Sequence, residues 1–93
     1  MSDSFANGVT DTGRRFELAE GGALAFADYS VREGRMIVPH VEAAHELRGT
    51  GAAGRLMAGV MDAARRRNLK IVPLCPYADA YMRRNPETAD LRA

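Results

Sequence analysis

The hydrophobic pattern of the N-terminal half contains three successive strand-like stretches. The first, residues 14–18, alternates polar and apolar residues around Phe16 and Leu18, a period of two that is typical of β-strands with one buried face. Two glycine-containing segments, Glu20-Gly21-Gly22 and Arg32-Glu33-Gly34-Arg35, separate these stretches. Because short glycine turns join antiparallel neighbours, the pattern predicts a three-stranded antiparallel meander at residues 14–18, 23–31 and 36–43. Pro39 lacks the N–H that a ladder requires, which predicts a bulge or an unpaired edge in the third strand.

The apolar period changes after this meander. From Ala53 onward, apolar residues recur at spacings of three and four, as on the buried stripe of a helix packed on a sheet. Residues 69–74 then predict a short buried strand, parallel to the third strand through the usual right-handed crossover. Residues 77–84 predict a last helix that ends before Pro86. The expected fold class is therefore α/β, with a mixed four-stranded sheet, one crossover helix and one C-terminal helix.

Length, composition and charge indicate a single domain that does not bind nucleic acid or an anionic membrane. The chain has 93 residues, enough for one core, and we assign residues 13–93 to this domain and residues 1–12 to a flexible N-terminal segment. A formal net charge of +1 provides no long-range field to attract nucleic acid or an anionic membrane. No stretch resembles a signal peptide or a membrane helix, so we expect a cytoplasmic protein.

Cysteine and histidine are too scarce to predict a disulfide or a metal site. Cys75 is the single cysteine, and the two histidines, His40 and His45, do not stand at a zinc-binding spacing. We therefore expect no metal. The run Arg65-Arg66-Arg67 is interpreted as a solvated helix end that complements the helix dipole, not as a nucleic-acid site.

The segment with the most specific chemistry lies between the third strand and the long helix. It contains three glycines, so its backbone is able to approach a ligand closely. The helix that begins there directs free N–H groups and the positive end of its dipole into the turn, and a phosphate or pyrophosphate is the expected ligand. The residues of this predicted anion site are Arg48, Gly49, Thr50, Gly51, Ala52, Ala53 and Gly54.

Two common phosphate-binding motifs do not fit this segment. Its three glycines match the dinucleotide-binding pattern, but the next strand ends in Leu74-Cys75-Pro76 and not in an acidic residue. Too little chain also remains for the further βα units of a dinucleotide domain. A P-loop requires a Gly-Lys-Ser/Thr end, and the one lysine of the chain is Lys70.

Four runs of sequence resemble the very small members of the GNAT N-acetyltransferase superfamily. The turn matches the superfamily signature Arg/Gln-x-x-Gly-x-Gly/Ala and lies, as it does there, between a strand and a helix. The resemblance extends over residues 39–93, more than half of the chain. The runs are His40-x-Glu42, Glu46-Leu47-Arg48-Gly49-x-Gly51, Val72-Pro73-Leu74-Cys75-Pro76-Tyr77 and Tyr81-x-Arg83-Arg84-x-Pro86.

The resemblance implies a minimal GNAT-type fold that binds acetyl-coenzyme A (acetyl-CoA) in a V-shaped cleft, where the third and fourth strands are parallel but splayed apart. Backbone N–H groups of the turn would hold the pyrophosphate, and exposed groups of the third strand would pair with the pantetheine amides. Arg83 and Arg84 would reach the 3′-phosphate. Tyr81 would protonate the departing thiolate, with Tyr77 as second candidate, unless both tyrosines only cover the sheet.

His40, Glu42 and Cys75 are the remaining candidate catalytic residues. The strand period places His40 and Glu42 on one face, where either serves as general base toward an amine or both form a polar surface pair. Cys75 follows a parallel strand, at the end where α/β sheets usually bind ligands. It would either carry the acetyl group or fill space in the core. We expect direct transfer, with Cys75 beside the thioester.

These residues predict an acetyl-CoA-dependent N-acetyltransferase whose acceptor is a small-molecule or protein amine. We expect a monomer or a weak homo-oligomer. Two other classes stay open. One is a non-catalytic acyl-CoA-binding module, because so short a chain lacks the N-terminal helices that form the acceptor pocket of larger relatives. The other is a structural protein that assembles through its sheet edge.

Overall fold

A five-stranded mixed sheet is the central layer of the computed structural model, which describes residues 4–93. Its spatial order equals its chain order, antiparallel through the first four strands and parallel between the last two. The strands are β1 (Thr10–Asp11), β2 (Arg15–Glu20), β3 (Ala23–Arg32), β4 (Arg35–Ala43) and β5 (Lys70–Pro73). The described helices are α1 (Ala52–Arg66), α2 (Pro76–Arg84) and the 3-10 helices Ala6–Gly8, His45–Leu47 and Pro86–Leu91.

The predicted mixed sheet with a crossover helix is confirmed, with one addition at its edge. Four strands were expected from the hydrophobic pattern, whereas β1 forms a fifth strand that pairs antiparallel with β2. Both residues of β1, Thr10 and Asp11, are polar. A strand of this length carries no hydrophobic alternation, so the period of two does not reveal it.

The segment predicted to be flexible, residues 1–12, packs onto the domain from residue 4 onward. Phe5 and Val9 belong to the buried core, and Val9 is completely inaccessible. Helix α1 leaves room for this segment at Gly59, where a Cβ atom would lie 2.4 Å from the Val9 Cβ. The segment is mostly polar, so its composition did not indicate that Phe5 and Val9 are buried. Residues 1–3 lie outside the described residues.

One face of the sheet carries the core. Alternate residues of the strands are buried beneath α1, which meets them with its own apolar stripe. The largest fully buried side chains are Phe16, Met36, Leu56, Met57, Ile71, Val9, Val38 and Val60. Residues of the opposite set, including Phe26, His40 and Glu42, stay partly or fully exposed. The two candidate bases therefore lie on the open face of the sheet.

Strands β4 and β5 diverge halfway along β4, as the expected cleft requires. Their ladder ends at the pair Val38↔Pro73. Beyond it, β4 continues to Ala43 with β3 as its ladder partner, and no other strand of residues 4–93 pairs with it there. The β3–β4 register shifts at the same point, opposite Pro39, which confirms the predicted bulge. The second half of β4 thus keeps free backbone groups on the side of the cleft.

Candidate active site

The turn that leads into α1 is built from local hydrogen bonds and two left-handed glycines. The Thr50 hydroxyl donates to the Leu47 carbonyl (2.6 Å) and accepts the Ala52 N–H (3.2 Å). Gly49 and Gly51 have φ angles of 78° and 85°, which disfavour any residue with a Cβ atom. The sequence therefore needs glycine at both positions to turn the chain into the helix.

Several N–H groups of this turn stay free for a ligand. Three others are already engaged: the N–H of Arg48 donates to the His45 carbonyl, that of Thr50 to the Leu47 carbonyl and that of Ala52 to the Thr50 hydroxyl. At Gly54 a Cβ atom would meet nothing within 4 Å, so packing within the protein does not require glycine there. Because the dipole of α1 is positive at this end, the arrangement suits an anion. The N–H groups without an acceptor among residues 4–93 are those of Gly49, Gly51, Ala53 and Gly54.

The arginines on the two sides of the turn differ in their surroundings. The exposed Arg48 side chain forms no hydrogen bond or ion pair with residues 4–93. The Arg55 Nη1 donates to the Thr50 carbonyl (3.1 Å), and its Nε and Nη2 donate to the Glu20 carboxylate (2.8 and 2.6 Å). Those bonds hold the pKa of Glu20 below its ordinary value. The sequence did not reveal this pair, because its members stand 35 residues apart and belong to no motif.

His40 and Glu42 come together on the open face, as the strand period predicts. The His40 Nε2 lies 3.0 Å from the Glu42 Oε1, and the two side chains are 52% and 57% exposed. The imidazole also lies near the Phe26 ring, with 5.9 Å between the ring centroids. Both residues belong to the half of β4 that β5 does not cover. An amine in solvent therefore has direct access to either group.

Cys75 lies where β4 and β5 separate. Its N–H donates to the carbonyl of Val38 (3.0 Å), the last β4 residue in the ladder with β5. Its carbonyl accepts the N–H of Asp79 (3.0 Å) as α2 begins. The residue is buried within the core cluster. This position at the vertex of the cleft is compatible with either of the two roles expected for the thiol.

An open helix N-terminus beside a splayed pair of parallel strands coincides with a match to a known family. The family described as GCN5-related N-acetyl-transferase matches residues 15–91 of the 93-residue chain. The chain belongs to the GCN5-related N-acetyltransferase family. This membership confirms the resemblance found in the sequence and the minimal GNAT-type fold. A comparison with curated proteins finds no match.

In this GCN5-related domain the two candidate tyrosines lie in the helical layer. Tyr77 and Tyr81 belong to α2 and pack, partly buried, against the core. Tyr81 lines a groove of about 400 Å³ between the helices, beside Met61 and Glu87. Burial and, less strongly, the Glu87 carboxylate and Tyr77 raise the pKa of Tyr81. Its hydroxyl is thus protonated at neutral pH, as a proton donor must be.

Arg83 and Arg84 lie in the last turn of α2, with exposed side chains. Arg83 pairs with Asp79 at 3.1 Å. The Nε of Arg84 makes a long contact of 3.4 Å with the Ala80 carbonyl. No hydrogen bond or ion pair joins either arginine to residues 48–54 in the structure, so their predicted contact with the 3′-phosphate stays a prediction.

Residues 4–93 contain no group of three or more His, Cys, Asp or Glu side chains placed to hold a metal ion. Within the same range, no helix combines the length and the apolar character that crossing a membrane demands.

Proposed function

We propose that this GCN5-related domain transfers an acetyl group from acetyl-CoA to an amine. The observation that carries the proposal is the set of free N–H groups at the start of α1, next to the unpaired half of β4. Membership of the family supports acyl transfer. The choice of acetyl-CoA as donor and of an amine as acceptor is the part that we propose.

The residues around the cleft fit the parts of acetyl-CoA. The free N–H groups of Gly49, Gly51, Ala53 and Gly54 would hold the pyrophosphate, because they lie at or just before the positive end of α1. The free backbone groups of the second half of β4 would pair with the pantetheine amides as an added strand does. Arg48 has no partner among residues 4–93 and would add a charge-assisted contact to a phosphate.

His40 and Glu42 on the open face of the sheet would supply proton acceptors, and a tyrosine of α2 would supply a proton donor. When bound, acetyl-CoA would supply an acetyl group activated as a thioester. His40, with Glu42 3.0 Å away, would accept the proton that the amine loses as it forms its new bond to the acetyl carbon. Tyr81 would donate a proton to the sulfur as the carbon–sulfur bond breaks, and Tyr77 is the second candidate.

Ligand-dependent thermal unfolding tests the donor. Acetyl-CoA and CoA should raise the melting temperature in a dose-dependent way, because a ligand that binds only the folded state stabilises it by mass action. NAD and ATP serve as matched controls, since they carry a pyrophosphate or triphosphate without pantetheine. Equal stabilisation by all of these ligands, or by none, would contradict the proposal. Binding without transfer to any amine would instead support the non-catalytic acyl-CoA-binding module.

Two variants separate direct transfer from transfer through the thiol. We expect His40→Ala to slow acetyl transfer by about 10²–10⁴-fold, the usual effect of losing a general base, with nearly unchanged CoA affinity. Cys75→Ala should stay active, and intact-mass analysis without acceptor should find no acetyl group on Cys75. An inactive Cys75→Ala protein together with a fully active His40→Ala protein would overturn direct transfer and make the thiol the nucleophile.

A further inference from the structure

Arg55 forms a three-point contact between the end of β2 and the turn of the anion site. Its guanidinium donates from Nε and Nη2 to the two carboxylate oxygens of Glu20, at 2.8 and 2.6 Å. The remaining Nη1 donates to the carbonyl of Thr50 at 3.1 Å. A Cβ atom on Gly51 would lie 3.1 Å from this same Nη1. The guanidinium therefore lies directly against the Thr50–Gly51 peptide.

The contact with the Thr50 carbonyl determines where the N–H of Gly51 points. A trans peptide is planar, and its C=O and N–H bonds point in opposite directions. When Arg55 holds the carbonyl oxygen of Thr50, the N–H of Gly51 has to point away from the guanidinium. That N–H is one of the groups without an acceptor among residues 4–93.

Glycine permits this peptide orientation but does not select it. Gly51 has φ 85° and ψ 3°, as at the third position of a type II turn. A flip of the Thr50–Gly51 peptide would give the type I counterpart, with φ near about −90°, and glycine adopts both signs of φ with similar ease. In the flipped turn a carbonyl oxygen would replace the N–H. An anion would then meet a negative dipole end.

We propose that the Glu20–Arg55 pair positions the anion site by holding the Thr50–Gly51 peptide in the orientation that leaves the Gly51 N–H free. Arg55 supplies the donor, and Glu20 keeps the guanidinium in place through two parallel hydrogen bonds. Both are positioning residues and not ligand contacts. The inference that CoA is the anion rests on the proposed function, whereas the orientation of the peptide does not.

Neutralising Glu20 gives a test in which positioning and simple electrostatics predict opposite signs. Glu20→Gln removes a negative charge near the site, so charge alone would make the polyanion CoA bind more tightly. Loss of the clamp should instead weaken CoA binding about tenfold, the size of one charge-assisted hydrogen bond. Arg55→Lys keeps the positive charge but lacks the three-point fork, and it should weaken binding similarly. Glu17→Gln is the matched control, because Glu17 lies on the same strand and has no side-chain partner among residues 4–93.

Amide NMR of the ligand-free protein provides a second readout that does not depend on CoA. In Glu20→Gln the Gly51 amide resonance should shift and broaden as the peptide samples both orientations, whereas Glu17→Gln should leave it in place. Calorimetric titration with CoA should then rank wild type and Glu17→Gln above Glu20→Gln and Arg55→Lys. If wild type fails to bind CoA, the proposed function fails and the Gly51 resonance alone decides on the clamp. Unchanged or tighter CoA binding by Glu20→Gln, or a Gly51 resonance that coincides with that of wild type, would overturn the inference.

Discussion

The charged and polar groups at the two ends of helix α1 differ in whether they have partners within the domain. At the C-terminal end three successive arginines complement the helix dipole, and each is paired with a carboxylate: Arg65 with Asp90, Arg66 with Asp62 and Arg67 with Asp11. At the N-terminal end no carboxylate accepts the free N–H groups of the turn within residues 4–93. Acidic side chains would stabilise that end of a helix, yet its first turn contains none.

This difference separates the end of the helix that is tied to the rest of the domain from the end where we propose that a ligand binds. Arg67 ties α1 to β1 and Arg65 ties it to the last 3-10 helix, so their charge is used within the domain. The arginine run is consequently a structural feature, as its balance with acidic residues suggests. The N-terminal end lacks the stabilisation that a capping carboxylate would provide, and a bound anion would supply it.

The largest expected effect comes from closing the open end. Gly51→Val should weaken CoA binding by more than about 100-fold, because the branched side chain disfavours φ 85° and would displace the Arg55 guanidinium from the turn. The protein should still fold, since the turn lies at the surface. Calorimetric titration measures the affinity, and circular dichroism measures the fold.

Gly34→Val is the matched control for that substitution. Gly34 has φ 76° in the turn between β3 and β4, and a Cβ atom there meets nothing within 4 Å. The backbone strain, about 1–3 kcal/mol, is comparable at the two positions. Stability should therefore fall in both variants, but CoA affinity in Gly51→Val only. Normal binding by Gly51→Val would place the phosphate site elsewhere.

Local patterns were sufficient to predict the scaffold of the site. The period of two marked β2, strand-like runs bounded by glycine turns marked β3 and β4, and the three-and-four spacing marked α1 to within one residue at its start. The missing N–H of Pro39 located the bulge at which the cleft opens. The contact between His40 and Glu42 followed from the same period. In each case the cause acts between residues that are close together in the chain.

Contacts between residues that are far apart in the chain could not be predicted in this way, because no local sequence pattern indicates them. The Glu20–Arg55 pair and the packing of Val9 on Gly59 depend on how β2, the N-terminal segment and α1 meet in space. A glycine inside a helix carries no sign of whether it serves a ligand, as we infer for Gly54, or a packed neighbour, as at Gly59. The Cβ contacts in the folded structure distinguish the two cases.

A smaller effect is expected at the paired end of α1. Asp11→Asn removes a carboxylate that accepts hydrogen bonds from the Arg67 guanidinium (2.7 Å), the Tyr29 hydroxyl (2.9 Å) and the Gly13 N–H (2.8 Å). Because its side chain is only 9% exposed, the free energy of unfolding at pH 7 should fall by about 1–3 kcal/mol in urea titrations. CoA affinity should stay within about twofold, since distant sites act independently. Weakened CoA binding would show that the two ends of the helix are coupled.

The pH dependence of that loss identifies its cause. Burial alone would raise the pKa of Asp11, but the hydrogen bonds from Gly13, Arg67 and Tyr29 lower it below the ordinary value of 3.8. A carboxyl group whose pKa is lower in the folded state stabilises the fold above its unfolded pKa and loses this contribution as the pH falls through the folded pKa. The free energies of unfolding of wild type and Asp11→Asn should therefore differ by a constant amount from about pH 7 to about pH 5, and the difference should shrink as the pH falls below about 4. Arg66→Gln is the control, because an exposed pair four residues apart contributes only about 0.5 kcal/mol. A stability difference between wild type and Asp11→Asn that does not shrink as the pH falls below about 4 would mean that asparagine disturbs the packing around Tyr29, and that the lost charge is not the cause.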